Sequence, residues 1–368
     1  MPAISGPKDG PVAVTGASGF IGSHVVKNLV EHGYQVRCCV RDASREDKIS
    51  YLNAIAEKGP GSISLYSCDL YKANDGEYDT AFEGCVAVFH VAADVGNDPK
   101  YGQPSPQSMY DSLLNQTAGI LESCRKAGSV RRVIYTSSTA AVTGRGSADR
   151  PTDYQYTEDD WAGGTFESLE ERHTYVNRKG ETVMAWTVAR SAYAKGKVDA
   201  EKLGYRFGEE NGIDVISVCP CHVLGPLLGK PHNTVWQREI GFFLSGRNNF
   251  PARGMDWNII DVRDVAQAQR LLAESDVATN ANRYMLVAAD ESGEPRMSEL
   301  LDTLGELFPD IDVAGDYKPL PSTSRLRARC TKAINELGLQ THDVRDTLRE
   351  TGETLLALNC IEPARKAG

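Results

Sequence analysis

The sequence lacks the features that mark membrane, secreted and nucleic-acid-binding proteins. Its longest apolar stretches, such as residues 85–93, fall well short of the roughly 18 residues that cross a bilayer. Residues 1–11 contain Pro and Gly but no apolar run of the kind found in a secretory signal. Lys and Arg number 40 against 50 Asp and Glu, the net charge is -10, and no basic block occurs. We therefore expect a cytoplasmic protein that binds neither a membrane nor a nucleic acid.

Spacings typical of metal sites are also missing. The seven His residues never form HxH or HExxH, and the nine cysteines include no CxxC pair. We therefore expect no metal, and reduced cysteines that pack among apolar neighbours. His90 ends an apolar run and is interpreted as a packing residue, and Asp159 with Asp160 as an exposed acidic turn.

What the chain does have is an average globular composition and a regular alternation of elements. Among its 368 residues, 41% are hydrophobic and 24% charged. Apolar strand-like runs at 12–14, 35–40, 63–66, 87–91 and 132–136 alternate with amphipathic stretches. This alternation predicts an α/β fold, a Rossmann-type doubly wound parallel sheet with helices on both faces.

Glycines follow the first predicted strand at a regular spacing. Gly16, Gly19 and Gly22 precede an amphipathic stretch at residues 23–32. In a strand–turn–helix unit such glycines permit a tight turn and close approach of a pyrophosphate, and the helix N-terminus supplies N–H donors. The pattern predicts a dinucleotide-binding turn.

Positive charge follows the second predicted strand. That strand ends at Arg41 and Asp42, and Arg45 and Lys48 lie on the next segment. An acidic residue here accepts from the ribose 2′-hydroxyl of NAD, whereas an Arg pairs with the 2′-phosphate of NADP. The sequence therefore favours NADP(H).

A Tyr and a Lys lie four residues apart in a predicted helix. Tyr193 and Lys197 share one helix face, so we expect the ammonium to lower the pKa of the phenol. Such a phenol can donate or accept a proton at a carbonyl or alcohol oxygen. Ser138 ends a predicted strand and can donate a second hydrogen bond to that oxygen. A rival pair, Tyr175 and Lys179, is followed at once by a Gly, so we favour Tyr193.

In combination these motifs resemble the extended short-chain dehydrogenase/reductase family (NAD-dependent epimerase/dehydratase superfamily), in the branch of dihydroflavonol 4-reductase and cinnamoyl-CoA reductase. The similar segments occur in the family's order over most of residues 12–226. They are TGASGFIGSHVV at 15–26, VRCCVRD at 36–42, CDL at 68–70, GCVAVFHVAA at 84–93, VRRVIYTSS at 130–138, YAKGK at 193–197 and NGIDVISVCPCHVLGP at 211–226.

The resemblance implies an NADP-dependent carbonyl reductase, in which hydride passes from the nicotinamide to a ketone or aldehyde and a tyrosine protonates the oxygen. The implied catalytic set is Ser138, Tyr193 and Lys197. The implied cofactor contacts are Gly16, Gly19, Phe20, Ile21, Gly22, Arg41, Lys48, Asp69, Leu70, Val91, Ala92, Ala93, Pro220 and Val223. Candidate substrate contacts are Thr139, Thr143 and His222.

Three departures separate the chain from its flavonoid- and cinnamoyl-reducing counterparts. Thr143 stands where the flavonoid reductases carry an Asn, residues 190–197 retain only the end of the plant cinnamoyl-CoA reductase segment, and the insertion at about 144–190 is longer. Substrate walls come from such variable loops. We therefore expect a ketone or aldehyde, aryl or aliphatic, other than dihydroflavonol.

The expected division places a dinucleotide-binding domain at residues 1–225 and a smaller α/β substrate-binding lobe mainly at 226–368, from which strands can return to the first domain. A nucleotide-sugar epimerase or dehydratase, a hydroxysteroid dehydrogenase and a non-catalytic NADP-sensing scaffold stay open as alternatives. Arg41 argues against an NAD-holding epimerase, and retention of both Tyr193 and Lys197 argues against a scaffold. Monomer and homodimer both stay open.

Overall fold

The computed structural model describes residues 3–93, 105–143, 154–162, 171–176, 182–187, 190–247, 257–288, 295, 297–313 and 328–366. Its strands are β1 (Val12–Thr15), β2 (Gln35–Val40), β3 (Ser62–Ser67), β4 (Ala87–His90), β5 (Arg132–Thr136), β6 (Glu171–Val176), β7 (Thr182–Thr187), β8 (Asp214–Pro220), β9 (His222–Leu224), β10 (Ile259–Asp261) and β11 (Arg283–Leu286). Its α-helices are α1 (Phe20–Glu31), α2 (Glu46–Ala56), α3 (Asp79–Phe82), α4 (Pro106–Ala127), α5 (Ala140–Thr143), α6 (Arg190–Asn211), α7 (Val235–Leu244), α8 (Val262–Glu274), α9 (Met297–Leu307), α10 (Thr331–Leu337) and α11 (Val344–Ala357).

Seven strands form one parallel sheet in the order β11-β8-β5-β4-β1-β2-β3. From β1 the chain runs outward to β3 and then returns to β4 on the other side, and Val12 lies opposite both Val36 and Ala87. In open α/β sheets ligands bind at this reversal, outside the carboxyl ends of the strands. The predicted fold class is confirmed, and the order of the strands places a binding crevice beside β1 and β4.

The central strands are mostly apolar because helices cover both faces of the sheet. Val12 and Val14 belong to one hydrophobic core, which includes residues of α1, α2 and α8. Ala13, between them, belongs to another core with residues of α4 and α6. Alternate side chains point to opposite faces, so a strand buried on both faces is apolar at every position.

The chain after residue 225 contributes to two regions. β11 pairs with β8, where Met285 lies opposite Cys219, and α8 packs against α1. The helices α7, α9 and α11 surround a separate apolar core in which Trp257 and Phe243 are buried. The boundary at residue 225 stays a prediction, and the described part of 226–368 includes both a strand of the main sheet and this second core.

The interval expected to be an irregular insertion contains a hairpin, because β6 and β7 pair in antiparallel fashion with Glu171 opposite Thr187. The segment 154–162 folds back onto the sheet region. Asp159 is exposed, but Asp160 is buried and accepts hydrogen bonds from the Tyr154 hydroxyl at 2.6 Å and the Thr157 amide at 2.9 Å. The prediction of an exposed pair was wrong for Asp160, because this carboxylate closes the turn.

All nine cysteines lie within the described ranges, and seven of them are buried. Across the helices that the structure describes, none combines the length and the apolar character needed to cross a bilayer.

Candidate active site

The glycine turn after β1 has no room for side chains. Gly16 has a φ of +64°, and a Cβ there would lie 3.0 Å from the Cα of Ala92. A Cβ on Gly22 would lie 2.1 Å from the carbonyl oxygen of Gly16, and the Gly19 amide donates to that same oxygen at 2.9 Å. Only glycine permits the turn at Gly16 and the close packing at Gly22.

The first turn of α1 presents backbone donors beside this turn. Phe20 and Ile21 begin the helix, and Gly19 is its N-cap, with no side chain that accepts from the first N–H groups. Such N–H groups and the helix dipole favour an anion. The turn has a bare glycine backbone and N–H donors, and it therefore fits the pyrophosphate of a dinucleotide.

The charged residues that follow β2 have different hydrogen-bond partners. Arg41 and Asp42 are both exposed. Asp42 accepts from the amide and the hydroxyl of Ser44, at 2.9 and 2.6 Å, and these hydrogen bonds lower the pKa of its carboxyl group. Arg45 makes two 2.9 Å hydrogen bonds with Asp47. Asp42 and Arg45 thus hold the local backbone, and Arg41 is the cation nearest the strand end.

A buried histidine lies between β1 and β4. His90 Nδ1 is 2.9 Å from the Thr15 hydroxyl, which accepts from the Ala92 amide at 3.1 Å. Burial, and then the charge of Lys197, lower the pKa of His90 to about 3. The ring is therefore neutral at working pH, which agrees with a packing role and links the carboxyl ends of the two strands.

Most of the other predicted cofactor contacts lie at strand ends or just beyond them, whereas Lys48 lies in α2 and Val223 within β9. Asp69 caps a short 3-10 helix at Leu70–Asp75 and accepts from the Tyr71 amide at 3.1 Å, and Leu70 is buried. Pro220 ends β8 and accepts from the Thr139 amide at 3.0 Å. The remaining positions are Lys48 and Ala93, both exposed, Val91, half-buried, and Val223, buried.

Ser138, Tyr193 and Lys197 come together at the end of β5. A side-chain hydrogen bond joins Ser138 and Tyr193. The Nζ of Lys197 lies 5.9 Å from the centroid of the Tyr193 ring and donates to the carbonyl oxygen of Thr136 at 2.9 Å. Lys197 is only 2% exposed. The serine, the phenol and the ammonium form one cluster, as their spacing on β5 and α6 predicts.

The pKa of Tyr193 differs from the sequence-based expectation. Burial raises it, and the hydrogen bond from Ser138 lowers it only in part. The expected net lowering was wrong, because burial of the phenol outweighs the interactions that favour the phenolate. Burial lowers the pKa of Lys197 to about 8, against the opposing charge of Glu201. Tyr193 is therefore a neutral phenol with a proton to donate.

The candidate substrate contacts lie on the segment that follows Ser138 and at the start of β9. Thr139 and Thr143 are half-buried, and the Thr143 hydroxyl donates to the Thr139 carbonyl at 3.2 Å. His222 is half-buried, with its ring centroid 4.1 Å from that of Trp236 and 5.1 Å from that of Trp257. Trp236 and Trp257 thus surround His222 with aromatic rings.

A buried ion pair that was not predicted from the sequence joins α6 to β11. Arg283 Nε lies 2.7 Å from a carboxylate oxygen of Glu201, and both side chains are buried. A signal was present, since Tyr193, Lys197, Glu201 and Tyr205 recur every four residues. In the described ranges the Thr136 hydroxyl is buried without a hydrogen-bond partner, and no cluster of His, Cys, Asp and Glu there could hold a metal.

The fold and the glycine turn define the class, a Rossmann-type α/β protein with a dinucleotide-binding turn. The NAD dependent epimerase/dehydratase family matches residues 12–166. The cinnamoyl-CoA reductase CAD2 of Medicago truncatula is 30% identical over 355 residues, covering 94% of this chain and 95% of the relative. A bifunctional dihydroflavonol 4-reductase/flavanone 4-reductase of Malus domestica is 33% identical over 330 residues, covering 89% and 85%.

Solved structures show the same fold. Yeast methylglyoxal/isovaleraldehyde reductase in complex with NADPH is 24% identical, with a TM-score of 0.74 and coverage of 95% of this chain and 99% of that one. Vestitone reductase from alfalfa (Medicago sativa) is also 24% identical, with a TM-score of 0.71 and the same coverage. The chain belongs to the NAD dependent epimerase/dehydratase family, in the branch of dihydroflavonol, cinnamoyl-CoA and anthocyanidin reductases. It is an oxidoreductase of the extended short-chain dehydrogenase/reductase type.

Proposed function

We propose that the protein is an NADPH-dependent carbonyl reductase that converts a ketone or an aldehyde to an alcohol. The observation that carries the proposal is the cluster of Ser138, Tyr193 and Lys197 at the end of β5, beside the reversal of strand order. A proton donor, a second hydrogen-bond donor and a cation at one place are what reduction of a carbonyl group needs.

The chain's own residues provide a place for NADPH. The glycine turn and the first N–H groups of α1 would hold the pyrophosphate, and Arg41 would pair with the 2′-phosphate. Asp42 is the acidic residue at this position, and its hydrogen bonds to Ser44 occupy one carboxylate oxygen. When bound, the cofactor supplies the hydride, and the protein supplies placement and charge.

The protonation step follows from the geometry of Tyr193. Its phenol is neutral because burial raises its pKa, so it can donate a proton to the carbonyl oxygen as negative charge develops there. Ser138, already within hydrogen-bonding reach of the phenol, donates to the same oxygen. The Lys197 ammonium, 5.9 Å from the ring, stabilises the phenolate that proton transfer leaves behind.

The substrate is proposed only as a class. The relatives are described as reductases of cinnamoyl-CoA, dihydroflavonol, vestitone or methylglyoxal. These compounds all contain a carbonyl group but differ in the rest of the molecule. Thr139, Thr143 and the half-buried ring of His222 are the proposed contacts to the part of the substrate beyond the carbonyl. Aryl and aliphatic ketones or aldehydes both fit this proposal.

The experiment is a measurement of NADPH oxidation by the purified protein with a panel of aryl and aliphatic aldehydes and ketones. We expect Tyr193→Phe to lose activity by about 10²- to 10⁴-fold, the usual contribution of a general acid. Tyr175→Phe, which alters the rival tyrosine, is the matched control and should keep the wild-type rate. Wild-type turnover by Tyr193→Phe would contradict the assignment.

The same assay separates the alternatives. A nucleotide-sugar epimerase would convert its substrate with no net oxidation of added NADPH. A scaffold would bind NADPH but oxidise it with none of the carbonyl compounds.

A further inference from the structure

A buried carboxylate lies one helical turn beyond Lys197. Glu201 is fully buried, and its Oε1 accepts a hydrogen bond from the hydroxyl of Ser137, the residue before Ser138. Its Oε2 lies 2.8 Å from the hydroxyl of Tyr205. That hydroxyl also lies 2.7 Å from Ser217 Oγ on β8. One carboxylate therefore connects α6 directly to the end of β5 and, through a phenol, to β8.

The charge of Glu201 is balanced by Arg283, the first residue of β11. Arg283 Nε lies 2.7 Å from Oε2 and one of its Nη atoms lies 3.4 Å from Oε1. The remaining guanidinium donors reach the carbonyl oxygens of Glu158, Asp160 and Ala141, at 2.9, 2.6 and 3.2 Å. Ala141 belongs to α5, which begins two residues after Ser138. The ion pair therefore holds the backbone on both sides of Ser138.

The carboxylate also lies one turn along α6 from Lys197, and its charge favours the ammonium form. The titratable groups that interact with Lys197 lie on α6 itself and on the strands β4, β5 and β8. They are Tyr193 and Glu201 on α6, Tyr135 on β5, His90 on β4 and Cys219 on β8. His90 and Cys219 are neutral, since burial lowers the pKa of the imidazole and raises that of the thiol. Glu201 is then the one anion in this set.

We propose that Glu201 is a positioning residue for the reaction, which through Ser137 and Arg283 keeps Ser138 aligned with Tyr193 and keeps Lys197 charged. The proposal rests on the proposed function of the Ser138, Tyr193 and Lys197 cluster. Glu201 itself touches neither Ser138 nor the Tyr193 phenol in the contacts described above. It acts through the residue before the serine and through the charge of the lysine, two turns of α6 beyond the phenol.

The test is Glu201→Gln, which keeps the size of the side chain but removes the charge. We expect kcat to fall at least about tenfold, because a small misalignment of reacting groups costs rate. We expect NADPH affinity to stay within about threefold, since the glycine turn is untouched. The alkaline limb of the kcat profile should move to lower pH by about one unit, because Lys197 loses its nearest anion.

The matched control is Asp214→Asn, which removes the carboxylate of another buried ion pair, with Arg132 at 2.9 Å, from the neighbouring strands β8 and β5. It should lower the stability without moving the pH profile. If Glu201→Gln behaves in the same way, with kcat and the alkaline limb at wild-type values, Glu201 is only structural and the proposal is overturned.

A second variant covers the case in which Glu201→Gln does not fold. Ser137→Ala removes one hydrogen bond to the carboxylate and leaves the ion pair with Arg283 in place. We expect its kcat to fall while its alkaline limb stays where it is in the wild type. Wild-type kcat in a folded Ser137→Ala protein would overturn the positioning role.

A readout that does not need turnover separates this proposal from the proposed function. NMR titration of isotope-labelled lysine side chains should show one midpoint near 8, assigned by its loss in Lys197→Arg, and Glu201→Gln should lower that midpoint. If no carbonyl compound is reduced, the proposed function fails but this titration is still readable. An unchanged midpoint together with a fully active enzyme would contradict the inference about Glu201 alone.

Discussion

Two buried arginine–carboxylate pairs adjoin the main sheet at different places and have different neighbours. Near the amino ends of β5 and β8, Arg132 pairs with Asp214 and also donates to the carbonyl oxygens of Leu272, Ser275 and Ala278, at 2.9, 2.7 and 3.0 Å. Every donor contact there ends in backbone or in the paired carboxylate. In the other pair, Glu201 accepts a hydrogen bond from Ser137 and its charge favours the ammonium form of Lys197.

Buried charge alone therefore does not identify a functional site. Both pairs are buried, with side chains at most 8% exposed, and breaking either one leaves an uncompensated charge in the interior. The difference is position. Ligands of open α/β sheets bind beyond the carboxyl ends of the strands, so we expect changes there to alter binding and rate, and changes at the amino ends to alter stability.

The largest effect should come from Gly22→Ala, at the carboxyl end. The added Cβ would lie 2.1 Å from the Gly16 carbonyl oxygen, so the turn has to open. We expect loss of measurable NADPH binding in a fluorescence titration. Gly305→Ala, in α9 with nothing within 4 Å of the added Cβ, is the control and should bind NADPH normally. NADPH binding by Gly22→Ala at wild-type affinity would contradict the role of the turn.

Next in size is Asp214→Asn, at the amino end. Loss of the charge should lower the free energy of unfolding by about 3 kcal/mol or somewhat more, because Arg132 is left buried and unbalanced. The measurement is urea denaturation, together with kcat/KM per folded molecule, which should not change. A fall in kcat/KM without loss of stability would contradict the purely structural role of Asp214.

A pH-dependent effect should follow in size. Burial lowers the pKa of His24 to about 3 and that of His232 to about 4, below the ordinary value of 6.5, and both rings pack against Phe20 beside the glycine turn. The unfolded chain therefore binds more protons than the folded one between about pH 4 and 6.5. Stability contributed by these neutral rings is complete above pH 6.5 and is lost as the pH falls.

We expect each of the two rings to lower the free energy of unfolding by about 1.4 kcal/mol per pH unit in that window. Denaturation at pH 7, 6 and 5 measures the slope of the free energy of unfolding against pH. His232→Gln should reduce that slope by about 1.4 kcal/mol per pH unit, the contribution of one proton. A slope that is the same in wild type and variant would show that His232 is solvated.

The smallest effect concerns the cofactor's 2′-phosphate. Arg41→Ala should weaken NADPH binding by about tenfold, or about 1.4 kcal/mol, and leave NADH binding unchanged. Arg45→Ala is the matched control, since it removes the same charge four residues further along, at the N-cap of α2. Equal losses for NADPH and NADH would remove Arg41 from the 2′-phosphate.

Much of the fold and of the site could be predicted from the sequence because their signals are local. Each of these signals lies within a single element. The apolar runs lie within one strand each, the glycine spacing within one turn, and the four-residue spacing of Tyr193 and Lys197 within one helix. The hairpin of β6 and β7 and the burial of Asp160 were not foreseen, because neither has a regular period of apolar residues. The direction of the Tyr193 pKa was predicted wrongly, because burial outweighs the hydrogen bond with Ser138.

The sequence by itself determined the parallel α/β class, the glycine turn and the residues that can carry carbonyl chemistry, since backbone periodicity places neighbours in the chain on one face or in one turn. Only the tertiary structure decided which distant charges meet. Glu201 and Arg283 are 82 residues apart, and no local pattern joins them. Folding brings α6, β5 and β11 together, and burial then sets which of their groups keep a proton.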